Sequence, residues 1–458
     1  MISQNPSSFR DPSGFVFESN GEIFRQINKI YQDDFDFFIS SGLYEELNRK
    51  NFLINHEEVF SPILIPETAY KILKVQRIEF ISYPYEWSFS QLKDAALLTL
   101  NVLLIALKKG MILKDASAYN VQFFEGKPIF IDTLSFTKYQ EGSIWEGYKQ
   151  FCQHFLAPLA LMSSKDIRLN KLLINFIDGI PLDLASKLLP FKTWFNYGLL
   201  THIHIHSYAQ KNIIKSVSNG IDTKKINKLG LVGLIENLEN TIKKLNWNIK
   251  EKDWVNYYQS TNYSENSFEN KKESVKSLIN KISPKSILDL GANKGVFSRL
   301  AKGLEDCHVI SIDNDPGAVE ANYLETKRAH EKNLLPLVID LVNPSSDIGW
   351  NNKERTKFLD RGSFDLVLAL ALIHHLAISN NIPLTMISDV LCKLGKFLII
   401  EFIPKEDTQT QKLLNSRSDI FSDYSITKFK QIFSKDFYLI DEILIQNTTR
   451  TIFLFERK

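Results

Sequence analysis

The stretch SILDLGANKGVFSRLA, residues 286–301, ends a short apolar run on an acid, Asp289. It then turns through Gly291, Asn293 and Gly295. Glycine at such positions lets a backbone bend sharply and approach a ligand without a Cβ in the way. Further acids close further apolar runs: Asp313 and Asp315 in HVISIDND, Asp340 in LPLVID, and Glu401 in KFLIIEF. A carboxylate about 20 residues beyond a glycine turn can accept both hydroxyls of a ribose diol. His374 and His375 end FDLVLALALIHH, where an imidazole of near-neutral pKa could take a proton from a reacting group. Taken singly, each Asp equally suits a helix cap or a turn. An ordered series at the ends of successive runs points instead to one ligand site.

The first half of the chain carries a different arrangement. LKDASAYNVQFFEGKPIFIDTLSF, residues 113–136, places Asn120 five positions after Asp115 and a second acid, Asp132, at the end of the next apolar run. Phosphoryl transfer uses such a set: a catalytic Asp, a metal-binding Asn in a D-x-x-x-x-N loop, and an Asp that holds magnesium against nucleotide phosphates. The bland alternative is that Asp115 and Asn120 simply hold a loop. A glycine-rich phosphate loop does not precede the stretch; the segment 14–27 offers only Gly14 and Gly21. No V-A-I-K lysine is evident. Arg25 stands on a comparable strand, and arginine is not equivalent to lysine there. Lys114 stands before the acid and Thr133 after Asp132. His202, His204 and His206 alternate in THIHIHS. On a strand they would share a face that suits a metal; on a helix only His202 and His206 would be close. With no acid or cysteine partner evident, no metal is expected.

These residues need elements to hold them. From Lys285 onward, apolar runs alternate with helical sequence, which predicts an α/β domain with a doubly wound, mostly parallel sheet. Residues 281–458 are expected to form it. Residues 226–280 read as a polar, helical lead-in, with TNYSENSFENKKES as a loop. Residues 1–225 read as a separate α+β domain. GFVFESNGEIFRQI predicts a hairpin about Asn20-Gly21, KILKVQRIEFISYPYEW a strand, 90–109 a buried helix, and 121–124 with 129–131 short strands.

The ordered motifs of the C-terminal half resemble class I S-adenosylmethionine-dependent methyltransferases, over roughly residues 250–458. The D-L-G-A-N-x-G turn is similar to a variant of their first motif, with Asn293 in place of the middle glycine. The resemblance implies that Asp289, Gly291, Asn293 and Gly295 shape the amino-acid and sulfonium end of the pocket. Asp313, or else Asp315, would hold the ribose and Asp340 the adenine amine, with Ala369 to Ala371 as the floor. His374, His375 and Glu401 would be the candidate catalytic groups near an acceptor. An NAD-dependent oxidoreductase would want G-x-G-x-x-G instead. No [DN]-P-P-[YFW] follows the fourth run, which tells against methylation of a DNA base amine or a glutamine amide. The aromatics of WVNYYQSTNYS, 254–264, could cover the cofactor, bind acceptor, or pack a lead-in helix. Residues 10–220 resemble the protein-kinase and aminoglycoside-phosphotransferase fold, with Asp115, Asn120 and Asp132 as the site for Mg-ATP. Across nearly its full length the chain resembles a bacterial family of two-domain S-adenosylmethionine-dependent methyltransferases. That resemblance implies an enzyme with an unidentified methyl acceptor. The N-terminal domain would bind acceptor or nucleotide, with a bifunctional kinase–methyltransferase and a non-catalytic scaffold as rival readings.

Bulk properties set outer bounds. Hydrophobic residues at 44% and charged residues at 24% describe a folded chain rather than a disordered one. With 55 Lys+Arg against 53 Asp+Glu, the net charge of +2 gives no reason to expect nucleic acid or an anionic membrane as partner. Lys211, Lys215, Lys224, Lys225 and Lys228 read as a solvated linker. Cys152, Cys307 and Cys392 are far apart and form no CxxC, which suits a reducing compartment. The apolar run 95–107 is short for a bilayer and charged at both ends, and the first residues lack an apolar export core. The cytoplasm is the expected compartment; oligomeric state is not legible.

Overall fold

The computed structural model describes residues 2–208, 226–248, 264–415 and 418–458. The linker lysines 211, 215, 224 and 225 and the aromatics of 254–263 lie outside the described residues. The chain forms two compact units: 1–248 with 347–355, and 249–346 with 356–458. Residues 347–355 thus leave the C-terminal half and belong to the first unit. There Glu354, 2% exposed, takes two hydrogen bonds from Arg10, at 2.7 and 2.9 Å.

Unit 1 opens with strands β1 (Ile2–Gln4), β2 (Gly14–Ser19), β3 (Glu22–Asn28), β4 (His56–Val59) and β5 (Ala69–Val75). They form an antiparallel sheet in the order β1-β2-β3-β5-β4. The β2–β3 turn has positive φ at both Asn20 and Gly21, 52° and 80°, as a two-residue hairpin requires. The strand expected through RIEFISYPYEW stops at Val75. Beyond it, the backbone N–H and C=O of Ser82 bond the side-chain amide of Gln122, at 3.0 and 2.9 Å, instead of a neighbouring strand. Pro84–Glu86 is a 3-10 turn.

The buried helix runs Phe89–Lys108. Ser88 and Gln91 cap it reciprocally, and Leu92, Ala95, Ala96, Leu100 and Leu103 are fully buried. It is the one helix among the described residues long and apolar enough to cross a membrane, and it is mostly buried within the protein. It leads into β6 (Met111–Leu113), which pairs with β9 (Phe136–Lys138); between them β7 (Val121–Phe124) and β8 (Lys127–Phe130) form a hairpin. The loop with Asp115 and Asn120 therefore lies between β6 and β7, and Asp132 just after β8.

Unit 2 contains β10 (Ser286–Leu290), β11 (His308–Asp313), β12 (Leu334–Val338), β13 (Phe364–Ala369), β14 (Gly395–Phe402), β15 (Phe437–Leu444) and β16 (Thr451–Arg457). The sheet order is β12-β11-β10-β13-β14-β16-β15, with the first five strands parallel and the last two antiparallel. This is a Rossmann-like mixed sheet. The closing hairpin is absent from the sequence reading: β15 is largely exposed and its FYLI run breaks at Asp441 and Glu442, while β16 is a buried apolar run that the reading did not single out. Strand order reverses between β11–β10 and β13, and such a switch point opens a crevice at the strands' carboxyl ends.

The loop expected at SENSFENKKES is instead the start of the helix Glu265–Ile282, capped by Ser264. Phe268, Val275, Leu278 and Ile279 recur at helical spacing and pack on the sheet with Ile287, Val309, Leu366 and Leu454. Lys271 shares that inward stripe. Between Gly295 and β11 the chain forms the 3-10 turn Ser298–Ala301 and no α-helix.

Candidate functional site

A cavity of about 490 Å³ lies at the carboxyl ends of these strands, lined by Asp289, Gly291, Asn293, Asp313, Asp315, Asp340, Ala371, His374 and His375 among others. The acids and histidines expected at the strand ends of the C-terminal half, apart from Glu401, thus meet in one place.

The turn after β10 is stitched to the end of β11. Ala292 N–H donates to the Ile312 carbonyl at 3.0 Å, and Asn293 N–H to Asp313 Oδ2 at 2.8 Å. Asp313 Oδ1 accepts from Asp315 N–H at 2.9 Å. Backbone N–H groups of Asn293, Asn314 and Asp315 act on this carboxylate, whose roughly four acceptor positions still leave room for a further donor. Burial raises the Asp313 pKa, and the backbone donors oppose that. Gly291 and Asn293 both have positive φ, 69° and 51°. Asparagine tolerates this conformation, and here its Oδ1 accepts from Lys294 N–H at 2.9 Å. Gly295 packs rather than lines: a Cβ there would sit 2.6 Å from the Asn322 side chain.

Asp289 is 2% exposed and accepts from Ser298 Oγ at 2.6 Å. Burial pushes its carboxyl up to about 7. Asp315 caps the helix Pro316–Arg328 through Gly317 N–H at 2.8 Å, so it serves as a cap while lining the wall. Asp340 holds Val342 N–H at 2.9 Å and faces the cavity. The wall at the end of β13 starts at Leu370 and Ala371; Ala369, 1% exposed, lies outside the lining.

His374 is 2% exposed, and its Nδ1 has no hydrogen-bond partner among the described residues. Burial, reinforced by His375, Arg450 and Lys271, holds its pKa well below the usual histidine value; burial also lowers that of His375. Their ring centres are 4.2 Å apart.

Glu401 is the correction. It is 0% exposed, does not line the cavity, and is not placed to take an acceptor's proton. Its Oε2 accepts from Lys271 Nζ at 2.7 Å and from Ala371 N–H at 2.8 Å, and Arg450 Nη1 approaches Oε1 at 3.9 Å. Arg450 in turn grips Asp407 with two bonds, at 2.7 and 3.1 Å. Glu401 is therefore a positioning residue for Lys271, Arg450 and the positive-φ Ala371. Lys271 and Arg450 line the cavity and were missed in the sequence. Helical spacing from Phe268 was the one available signal for Lys271.

In unit 1, Ser117 N–H donates to Asp115 at 2.9 Å, and Asn120 Nδ2 donates to Ser135 Oγ at 3.1 Å. Asp132 is ion-paired with Arg25 and accepts from the Ser135 hydroxyl. Burial and then the Asp132 charge raise the Asp115 pKa. Lys114 bonds Asp11 and Ser13, at 3.1 and 2.8 Å. The histidines of THIHIHS sit on helical turns, not a strand. His202 is held by Tyr148 and Asn237, both at 2.7 Å, and His204 by Ser186 and Thr193, at 2.7 and 3.0 Å. No group of three or more His, Cys, Asp or Glu side chains placed to hold a metal ion occurs among the described residues.

Unit 2 is thus a Rossmann-like α/β unit with a ligand cavity at its switch point. Across 456 residues the chain is 34% identical to nodulation protein NoeA of Rhizobium meliloti (strain 1021), covering 98% of this chain and 95% of that one. The chain belongs to the NoeA family. No established protein-family profile matches it. Solved structures similar to part of it include N-methyltransferase NodS from Bradyrhizobium japonicum WM9, at 13% identity and a TM-score of 0.31, covering 42% of this chain and 98% of that one. Magnesium protoporphyrin IX methyltransferase from Synechocystis PCC 6803 is 16% identical, with a TM-score of 0.31 and coverage of 46% and 93%. The bifunctional kinase-methyltransferase WbdD is 15% identical, with a TM-score of 0.29 and coverage of 42% and 40%. Likeness at these scores carries no weight beside the sheet order and the cavity.

Proposed function

We propose that unit 2 binds S-adenosylmethionine and transfers its methyl group to an acceptor. The observation that carries this reading is Asp313. Its carboxylate stands at the end of the second parallel strand, fixed by the N–H of Asn293 from the glycine turn, on the wall of a cavity of about 490 Å³. That volume lies within the roughly 300–1,000 Å³ of small-molecule sites.

The residues present fit the cofactor. Asp313 would accept hydrogen bonds from ribose hydroxyls and Asp340 from the adenine amine. Asp289, with the backbone at Gly291 and Asn293, would face the amino-acid and sulfonium end. When bound, the cofactor supplies a methyl carbon activated by sulfonium charge, so alignment is the protein's main task. Phe268, Phe297, Leu370 and Leu372 keep that end dry. We assign His374 to receive a proton from an acceptor hydroxyl because it lines the cavity and its Nδ1 has no partner among the described residues; burial keeps it neutral at pH 7 and also lowers its basicity. Glu401 holds Lys271 and the Ala371 backbone in place.

Unit 1 is assigned to acceptor recognition. The net charge of +2 offers polyanionic acceptors little attraction. Equilibrium dialysis of radiolabelled S-adenosylmethionine against the full chain tests the reading. One molecule retained per chain is expected. Retention no greater than by an unrelated protein would favour a scaffold with degenerate pockets.

A further inference from the structure

Asn120, Ser135 and Asp132 lie on one path of hydrogen bonds in unit 1: Asn120 Nδ2 reaches Ser135 Oγ at 3.1 Å, and the Ser135 hydroxyl reaches Asp132 Oδ2. Asp115 adjoins it through Asn120, close enough to feel the Asp132 charge. Two carboxylates with amide and hydroxyl oxygens are the hard donor set that magnesium or manganese prefers. The set, however, already contains a cation. Arg25 Nη1 donates to Asp132 Oδ1, and its Nη2 reaches the Ile131 carbonyl at 3.3 Å. Asp132 Oδ1 also takes the Leu134 N–H at 3.3 Å. Both carboxylate oxygens are therefore engaged.

Arg25 is not a mobile surface charge. It lies on β3 between its neighbours on β2 and β5, paired with Val16 and Leu73, and it is 8% exposed. A guanidinium stays charged at any pH a protein tolerates. Its field is felt nearby: burial first, and then Arg25, hold the His56 imidazole down to about 4. A divalent ion at Asp132 would have to displace a buried, permanently charged side chain and then sit beside it. The residues present do not fit the Mg-nucleotide that the resemblance implies.

We propose that Arg25 is the resident cation of this site. It takes the place of a divalent metal at Asp132 and closes unit 1 to magnesium-nucleotide chemistry. The claim concerns unit 1 alone, so it stands or falls separately from cofactor binding in unit 2.

Manganese titration of the full-length chain, read by the electron paramagnetic resonance signal of the free ion, tests it in wild type, D132N, R25M and R25M/D132N. The wild type and D132N should bind the same amount of manganese, with nothing lost with the Asp132 charge. R25M should gain one tightly bound ion per chain, and the double variant should lose it. A wild-type site that disappears in D132N would overturn the proposal. So would a folded R25M, with wild-type circular dichroism, that gains no ion. If R25M does not fold, the wild-type and D132N comparison still decides.

Discussion

The N–H of Asn293 donates to Asp313 Oδ2 at 2.8 Å, joining the glycine turn after β10 to the end of β11. One carboxylate thereby fixes the turn and presents itself to the cavity. The geometry makes the turn and the acid a single device.

Gly295 holds the far side of that device. Its φ is +74°, and a Cβ would press on the buried Asn322 side chain at 2.6 Å. Gly295→Ala should cost about 2–5 kcal/mol, combining the left-handed penalty with overpacking. Gly303→Ala is the control: its φ is +104°, but nothing lies within 4 Å, so only the roughly 1–2 kcal/mol conformational cost applies. Urea unfolding of the two variants should separate them clearly.

Lys271 and Glu401 form an ion pair at 2.7 Å with side chains 3% and 0% exposed. Breaking such a buried pair costs about 3–5 kcal/mol, and less for Lys271→Met, which leaves Glu401 with Arg450 at 3.9 Å. Glu401→Gln and Lys271→Met should each show this in unfolding experiments. The double variant K271M/E401Q removes both charges and keeps an amide oxygen for Ala371 N–H. It should lose less than the sum of the singles, by at least about 1 kcal/mol. Strict additivity would mean the pair is not coupled as drawn.

Burial lifts the Asp289 carboxyl to about 7, so below that pH the empty site holds it neutral. A sulfonium cation favours the carboxylate and must displace that proton. S-Adenosylmethionine affinity should therefore rise as pH increases towards 7, by up to about tenfold per pH unit, and level off above it. Asp289→Asn should flatten the profile. A wild-type profile that is already flat would remove Asp289 from the sulfonium end.

Asp340 is assigned to the adenine amine. S-Inosylhomocysteine lacks that amine, and the wild type should bind it more weakly than S-adenosylhomocysteine by about 10-fold or more, as expected for a hydrogen bond to a charged group. Asp340→Ala should bring the two ligands to similar affinity in competition dialysis. An unchanged preference would place the adenine elsewhere.

Much of unit 2 was legible because its parallel strands are buried on both faces. SILDL and FDLVLA read as continuous apolar runs, and the acids at their ends mark the switch point. The glycine turn announced itself through residue types that positive φ requires. Other features depend on partners remote in sequence. Helical spacing from Phe268 puts Lys271 on the inward stripe, but nothing near it supplies a counter-charge; Glu401, 130 positions away, makes its burial tolerable. Arg25 and Asp132 meet across 107 positions, and local sequence shows only an arginine on a strand and an acid after one. TNYSENSF reads as a loop by composition, although Phe268, Val275 and Leu278 carry a helical stripe. RIEFISYPYEW reads as a strand because its apolar residues alternate, but the Gln122 amide takes the bonds a neighbouring strand would supply.

The central claim is that the Asp313 wall holds S-adenosylmethionine. Calorimetric titration of S-adenosylhomocysteine into the full-length protein and Asp313→Ala tests it most directly. The account predicts one site per chain in the wild type and a loss of about 30-fold or more in the variant, the scale of hydrogen bonds to a charged acceptor. No heat of binding in the wild type, or undiminished affinity in Asp313→Ala with unchanged circular dichroism, would contradict it.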